Sequence, residues 1–405
     1  MFVFSREMYV RIRLLLLLRK RNEMTKSTSA YIQIPFCEHI CYYCDFNKVF
    51  LEGQPVDEYI EALLKEARLA LRQNPVEKME TLYVGGGTPT SLTASQLERL
   101  LSGLREILPY YNGEFTVEAN PGDLTADKLD VMKNYGVNRL SMGVQTFDDR
   151  LLKKIGRKHT AQDVYDTIQL LEEKDFSNVT IDLIYALPGQ SLESFRDTVT
   201  RALALDLPHY ALYSLILENQ TMFMNWVRRG KMHLPEQELE AQMYAETIDA
   251  MEKAGRKQYE ISNFAKPGFE SQHNLVYWNN QNYFGLGAGA SGYLGNRRYK
   301  NRGPIQHYLK SLKNDQLPVL EEEILTQKAQ IEEEMHLGLR KILGVDKTVF
   351  ENRFGFSMMD VYGDVIEKLK QQKMITETDS RVCLTEEGLF RGNDVFEEFL
   401  LSNAN

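Results

Sequence analysis

The sequence is poor in cysteine and in positive charge, and it has no long apolar run. Four cysteines in 405 residues cannot frame a disulfide-stapled fold, and three of them crowd into positions 37–44. That crowding points to a reducing, cytoplasmic setting and a metal site. Lys and Arg number 48 against 57 Asp and Glu, for a net charge of −9. An acidic chain without a basic stripe is a poor binder of nucleic acid or anionic membrane, which argues against a nucleic-acid-modifying role. Nowhere does an apolar run approach the roughly twenty residues of a membrane-crossing helix. The run Leu14–Leu18 is too short and is flanked by Arg11, Arg13 and Arg19–Arg21. It resembles a signal-peptide core, but charges follow at once and no small-residue cleavage site adjoins it. Met24 is a plausible true start. Residues 1–23 are read as a start-site extension, and 1–29 as an extension without folded structure.

What is present is 43% hydrophobic and 26% charged, ordinary for a globular protein with room for more than one domain. From Ala30 short apolar runs alternate with amphipathic ones. Strands are expected at 30–35, 79–85, 114–120, 137–144, 178–187 and 209–217. Helices with apolar residues at i, i+3, i+4 are expected at 56–73, 93–108, 125–136 and 191–205. Ser or Thr opens several of them, with acidic residues such as Asp127 and Glu193 close behind. Strands joined by helices make a parallel sheet. The expectation is an α/β fold, a partial (β/α)6 barrel over 30–220, with an open doubly wound sheet as the alternative. In either, chemistry sits at the carboxyl ends of the strands. Residues 221–322 extend the barrel and include a glycine-rich loop at 285–295. Residues 323–405 read as a smaller α+β, winged-helix-like domain, with Cys383 packed on one of its strands.

Three motifs carry chemistry. Cys37, Cys41 and Cys44 in PFCEHICYYCDF have C-x3-C-x2-C spacing. Zinc wants four ligands, and His39 could supply the fourth. Three thiolates on one tight loop can instead cap three corners of a [4Fe–4S] cluster and leave one iron open. LYVGGGTPTSL puts three glycines at the end of a strand, where a ligand can approach the backbone; alone it is equally a tight turn. HNLVYW places His273, Tyr277 and Trp278 together, either as a packed aromatic cluster or as a heme contact.

Taken in order, YIQIPFCEHICYYCDF, GGGTPT, VEANPG, NRLSMGVQTF, GRKH, IDLIYALPGQ, HNLVYW and GLGAGASGY resemble the radical S-adenosylmethionine (SAM) proteins. Within them the chain is similar to the HemN/HemW group, the oxygen-independent coproporphyrinogen III oxidases and their heme-chaperone relatives. The resemblance runs from about Ala30 to the carboxyl end. It implies a [4Fe–4S] cluster on the three cysteines, whose open iron chelates SAM and whose electron breaks a carbon–sulfur bond. It carries SAM contacts onto Tyr31, Gly86, Gly87, Thr88, Glu118, Gln145, Arg157 and Asp182. Glu118 and Asp182 could otherwise be helix caps or salt-bridge partners. It implies a heme contact at His273, Tyr277 and Trp278; His209, His233, His307 and His336 are weaker candidates, because no motif accompanies them.

The departures choose between branches. The oxidases carry a further cysteine two residues after the third ligand, where this chain has Phe46, and a longer amino-terminal arm. Both differences favour a heme chaperone, partnered by heme, heme-accepting proteins and an electron donor. A peripheral membrane contact is left open. The alternative is the oxidase, which decarboxylates two propionates of coproporphyrinogen III, so whether the chain is an enzyme stays undecided at this point.

Overall fold

The computed structural model describes residues 25–401; the Leu14–Leu18 run and the expected start at Met24 lie outside them. Six strands alternating with helices build the first half. Strand β1 (Thr25–Ile34) leads through helix α1 (Val56–Gln73) to β2 (Val76–Gly86). Helix α2 (Ala94–Ile107), β3 (Tyr110–Ala119), α3 (Ala126–Asn134) and β4 (Arg139–Gln145) follow. Then come α4 (Ala161–Glu173), β5 (Val179–Tyr185), α5 (Leu192–Ala204) and β6 (His209–Ser214).

The helices form where apolar residues recur at helical spacing. In α1, Tyr59, Ile60, Leu63, Leu64, Ala67 and Ala70 are buried on one stripe. Capping fixes several starts: Thr93 and Thr160 form capping boxes with Gln96 and Asp163, and Ser191 caps α5. Thr125 opens α3 without capping it; its hydroxyl bonds Asp127 instead. The strands carry Ala30, Ile32, Ile34, Leu82, Val84, Phe115 and Val117 into the core that the helices cover.

β1 to β6 are parallel neighbours in sequence order, which is the expected α/β arrangement. Two features differ from expectation. β1 starts at Thr25, with Thr25 paired to Val76 and Ser27 to Lys78, so 25–29 are not part of an unfolded extension. The polar TKSTS segment shows no apolar alternation, and only its long-range pairing makes it a strand. The glycine-rich run is a loop only in part, at 287–290. It overlaps the end of β9 (Tyr283–Leu286), a seventh parallel strand beside β1, and contains β10 (Ser291–Leu294), which turns back antiparallel.

The sheet continues through β11 (Arg297–Asn301) and β12 (Val319–Ile324) on that side. On the other side β6 is followed by β8 (Asn263–Ala265) and β7 (Lys257–Glu260). Twelve strands result, curved round an interior, and the end strands β12 and β7 do not pair with each other. A second core, from Ile331 to Phe399, gathers the carboxyl-terminal helices around a three-stranded sheet. Cys383 sits on the strand Arg381–Leu384 of that sheet, its thiol against Leu343 O at 3.1 Å.

Candidate functional site

The carboxyl ends of β2 to β6 open into a cavity of about 460 Å³, within the usual range for a small-molecule site. Cys37, Cys41 and Cys44 form one wall, on the loop that follows β1. Gly86, Gly87, Thr88, Glu118, Gln145, Arg157 and Asp182 form the rest of the inner lining. Ten of the residues singled out from sequence thus meet in one place. Tyr31 stands behind this surface: its ring stacks on Tyr83 at 5.8 Å and its hydroxyl donates to Gln33 Oε1 at 3.0 Å.

Glycine is required where the two walls touch. Gly86 has φ +116°, a region that side chains rarely adopt. A Cβ on Gly87 would lie 2.8 Å from Phe36 O and 3.0 Å from Cys37 Sγ. The end of β2 therefore runs directly beneath the cysteine loop.

A hydrogen-bonded chain joins the first two cysteines. Thr88 Oγ1 donates to Cys37 Sγ at 3.6 Å and accepts from Asn120 Nδ2 at 3.2 Å. Asn120 Oδ1 accepts from Arg157 Nη2 at 2.9 Å, and Arg157 Nη1 reaches Cys41 Sγ at 3.5 Å. Asn120 is the member that sequence reasoning passed over, although it lies inside VEANPG. Its signal is the reach of a short amide at a strand end, flanked by two candidate ligand contacts.

The carboxylates are held apart from bulk water. Tyr83 Oη donates to Glu118 Oε1 at 2.8 Å and Gly86 N to Oε2 at 2.9 Å. Ser141 Oγ donates to Asp182 Oδ1 at 3.1 Å. Burial raises Glu118 to about 7 against these bonds, and Asp182 to about 6 against Ser141, Arg139 and Arg157. Burial also pushes the Cys44 thiol up to about 11 and raises Cys37. Thiols in such surroundings become thiolates when a metal binds them.

The residues fit an iron–sulfur cluster better than a single ion. Among the described residues no three His, Cys, Asp or Glu side chains converge at single-ion distance, so His39 does not complete a zinc site with the cysteines. Arg157 Nε is buried without a partner beside this wall, a donor available to a bound group. A cluster would be held by Cys37, Cys41 and Cys44, and SAM by the glycine edge and the two carboxylates.

The expected heme contact takes a different form. HNLVYW lies on a short helix, Gln272–Trp278; its Asn274 lines the cavity, while His273, Tyr277 and Trp278 do not. His273 is fully buried. Its Nδ1 meets Thr81 Oγ1 at 2.6 Å and its Nε2 meets Tyr277 Oη at 2.8 Å, so neither nitrogen is free for iron. Trp278 stacks under Arg340 of the carboxyl-terminal unit, 4.6 Å from the guanidinium carbon to the ring centre. The helix therefore bolts β2 to that unit, and His273, Tyr277 and Trp278 pack here as an aromatic cluster, the other reading of the motif. Of the weaker candidates, His209 lines the inner end of the cavity, with Nε2 on Tyr259 Oη at 2.8 Å; His233, His307 and His336 do not line it.

Comparison with known proteins agrees with this geometry. Residues 31–202 match the Radical SAM superfamily and residues 325–391 the HemN C-terminal domain. The heme chaperone HemW of Lactococcus lactis is 52% identical, across 94% of this chain and all of that protein. The heme chaperone HemW of Bacillus subtilis is 48% identical, across 92% of this chain and 99% of that protein. In fold, the Escherichia coli coproporphyrinogen III oxidase HemN superposes with a TM-score of 0.80 at 23% identity, covering 98% of this chain and 94% of its own. The chain belongs to the HemN/HemW group of the radical SAM superfamily, on its HemW branch.

Proposed function

We propose that this protein is a heme chaperone of the cytoplasm that holds a [4Fe–4S] cluster and SAM, binds heme and passes it to acceptor proteins. The observation that carries this reading is the cavity itself. Three cysteines face two buried carboxylates across one opening, and Phe46, 61% exposed, stands on its rim where the oxidases have cysteine. The names of the two HemW relatives support the same assignment.

A cluster held by the three thiolates would supply one-electron reducing chemistry toward SAM. The chain's own residues do the placing. Gly86 and Gly87 let the ligand lie against the backbone of β2. Glu118 and Asp182 meet its ammonium, hydroxyl or sulfonium groups, and Arg157 offers its free Nε–H to the carboxylate.

The first test is an anaerobic assay of the cluster-loaded protein with coproporphyrinogen III, SAM and reductant, beside a hemin titration. A Soret band with hemin and no protoporphyrinogen is the expected result. Steady product formation would establish the oxidase instead.

The carboxylates give a pH prediction. Both are neutral below their raised values and charged above them. Affinity for SAM, a sulfonium cation, should rise as pH climbs through about 6 to about 7. Equilibrium binding of labelled SAM checks this, and Glu118→Gln should flatten the rise. An unaltered profile in that variant would remove Glu118 from the SAM contacts.

A further inference from the structure

The mouth of the cavity carries side chains that neither cluster nor SAM contacts use. His39, between Cys37 and Cys41, lines it and is half-buried. Its ring makes an edge contact with Tyr42, 6.4 Å between centres, and no hydrogen bond to any described residue. The other histidine on the cavity, His209, is only 1% exposed, at the inner end, and has one nitrogen committed to Tyr259. His39 is thus the imidazole at the opening with both nitrogens available.

Large apolar side chains share this lining. Phe46 is 61% exposed and Ile216 70%, and both line the same cavity with Ile40. Singly, exposed apolar residues mean little; gathered round one opening, they mark a surface meant to be covered. Lys48 lines the same rim. Its ammonium donates to Cys44 O and has two further hydrogens for a carboxylate.

We infer that the cavity mouth is the heme seat, with His39 as axial ligand to the iron, Phe46 and Ile216 against the macrocycle, and Lys48 toward a propionate. This rests on the heme-chaperone reading above and names its site. A flat apolar ring, an iron seeking an imidazole and a carboxylate arm match the three kinds of group the rim presents. Heme seated there also covers the way to Glu118 and Asp182, so SAM bound beforehand is trapped beneath it.

The test uses cluster-loaded protein and hemin. His39→Ala should shift the Soret maximum and weaken hemin binding at least about tenfold, a loss of roughly 1.4 kcal/mol. His273→Ala should leave the Soret maximum in place. Ile216→Glu, distant in sequence from the cysteines, should weaken hemin binding while the cluster absorbance stays. In wild-type protein, hemin should slow the exchange of bound labelled SAM, a measurement that needs no variant. No Soret band in wild-type protein would overturn the heme reading as a whole. A wild-type Soret band that His39→Ala leaves unmoved in position and affinity would overturn this seat alone, as would SAM exchange indifferent to hemin. Should His39→Ala lose its cluster, Ile216→Glu and the exchange rate decide the matter.

Discussion

Cys41→Ala protein purified without oxygen is expected to be colourless, having lost the broad visible absorbance of the cluster and its iron and sulfide. The three cysteines come from one loop, and no other thiol is near enough to substitute. The fourth, Cys383, lies on a strand of the carboxyl-terminal sheet and bonds Leu343 O. Two protein thiolates cannot retain a cluster that three hold while one iron stays open. The loss should be complete rather than graded, because Cys41 also receives Arg157 Nη1 at 3.5 Å, the last link in the chain from Cys37 through Thr88 and Asn120. Far-ultraviolet circular dichroism should stay the same, since Cys41 is only half-buried and lies in a turn. Cys383→Ala is the matched control and should keep its colour. Full absorbance and iron content in Cys41→Ala would sink the cluster assignment.

Much of this site could be read from the sequence because its parts are local. C-x3-C-x2-C and GGGTPT each sit at a strand end, and apolar periodicity places those strands and the helices between them. Helix α1 has the bounds its pattern predicts, 56–73. What escaped depends on contacts between distant segments. β9 has no apolar alternation, because Gly285 leaves room for neighbouring chain instead of filling it: a Cβ there would lie 2.0 Å from Ser291 O. Only pairing with β1, some 250 residues earlier, makes it a strand. The surroundings of His273 were hidden for the same reason. A motif shows which residues adjoin, but Thr81, which occupies one of its ring nitrogens, lies 192 residues away. Asn47 is another such case. Just past the third cysteine, its Nδ2 donates to Ala288 O at 2.8 Å and Gly303 O at 3.1 Å, pinning the cluster loop to the glycine-rich run.

Behind that pin stands Glu66, whose removal carries the largest expected cost in stability. It is 2% exposed on α1 and accepts from Gly287 N at 2.7 Å, Tyr308 Oη at 2.6 Å and Asn301 Nδ2 at 2.6 Å. Two turns earlier Tyr59 Oη accepts from Ala288 N and donates to Gln33 O. α1 therefore holds the glycine-rich run, and through it Asn47 and the cluster loop, against β1. Glu66→Ala leaves two buried donors, Gly287 N–H and Tyr308 O–H, without an acceptor and opens a void, while Asn301 Nδ2 keeps Gly285 O and Gly287 O. The expected loss is about 3–5 kcal/mol, read as a lower denaturation midpoint of the barrel. Glu66→Gln should keep more of the stability, since its amide oxygen can still accept from Gly287 N–H and Tyr308 O–H. The carboxyl adds a pH signature. Burial raises it from an ordinary 4.5 to about 7, so the folded protein holds this proton more tightly than the unfolded chain does. The stability it contributes is full below the ordinary value and is lost as pH rises through about 7. Glu66→Gln should lack that decline between the two values while sharing the rest of the wild-type profile. Equal midpoints for wild type and Glu66→Ala would show that the glycine-rich run is held without it. A lower midpoint that comes with faster loss of cluster colour is the expected outcome, because the same contacts carry both.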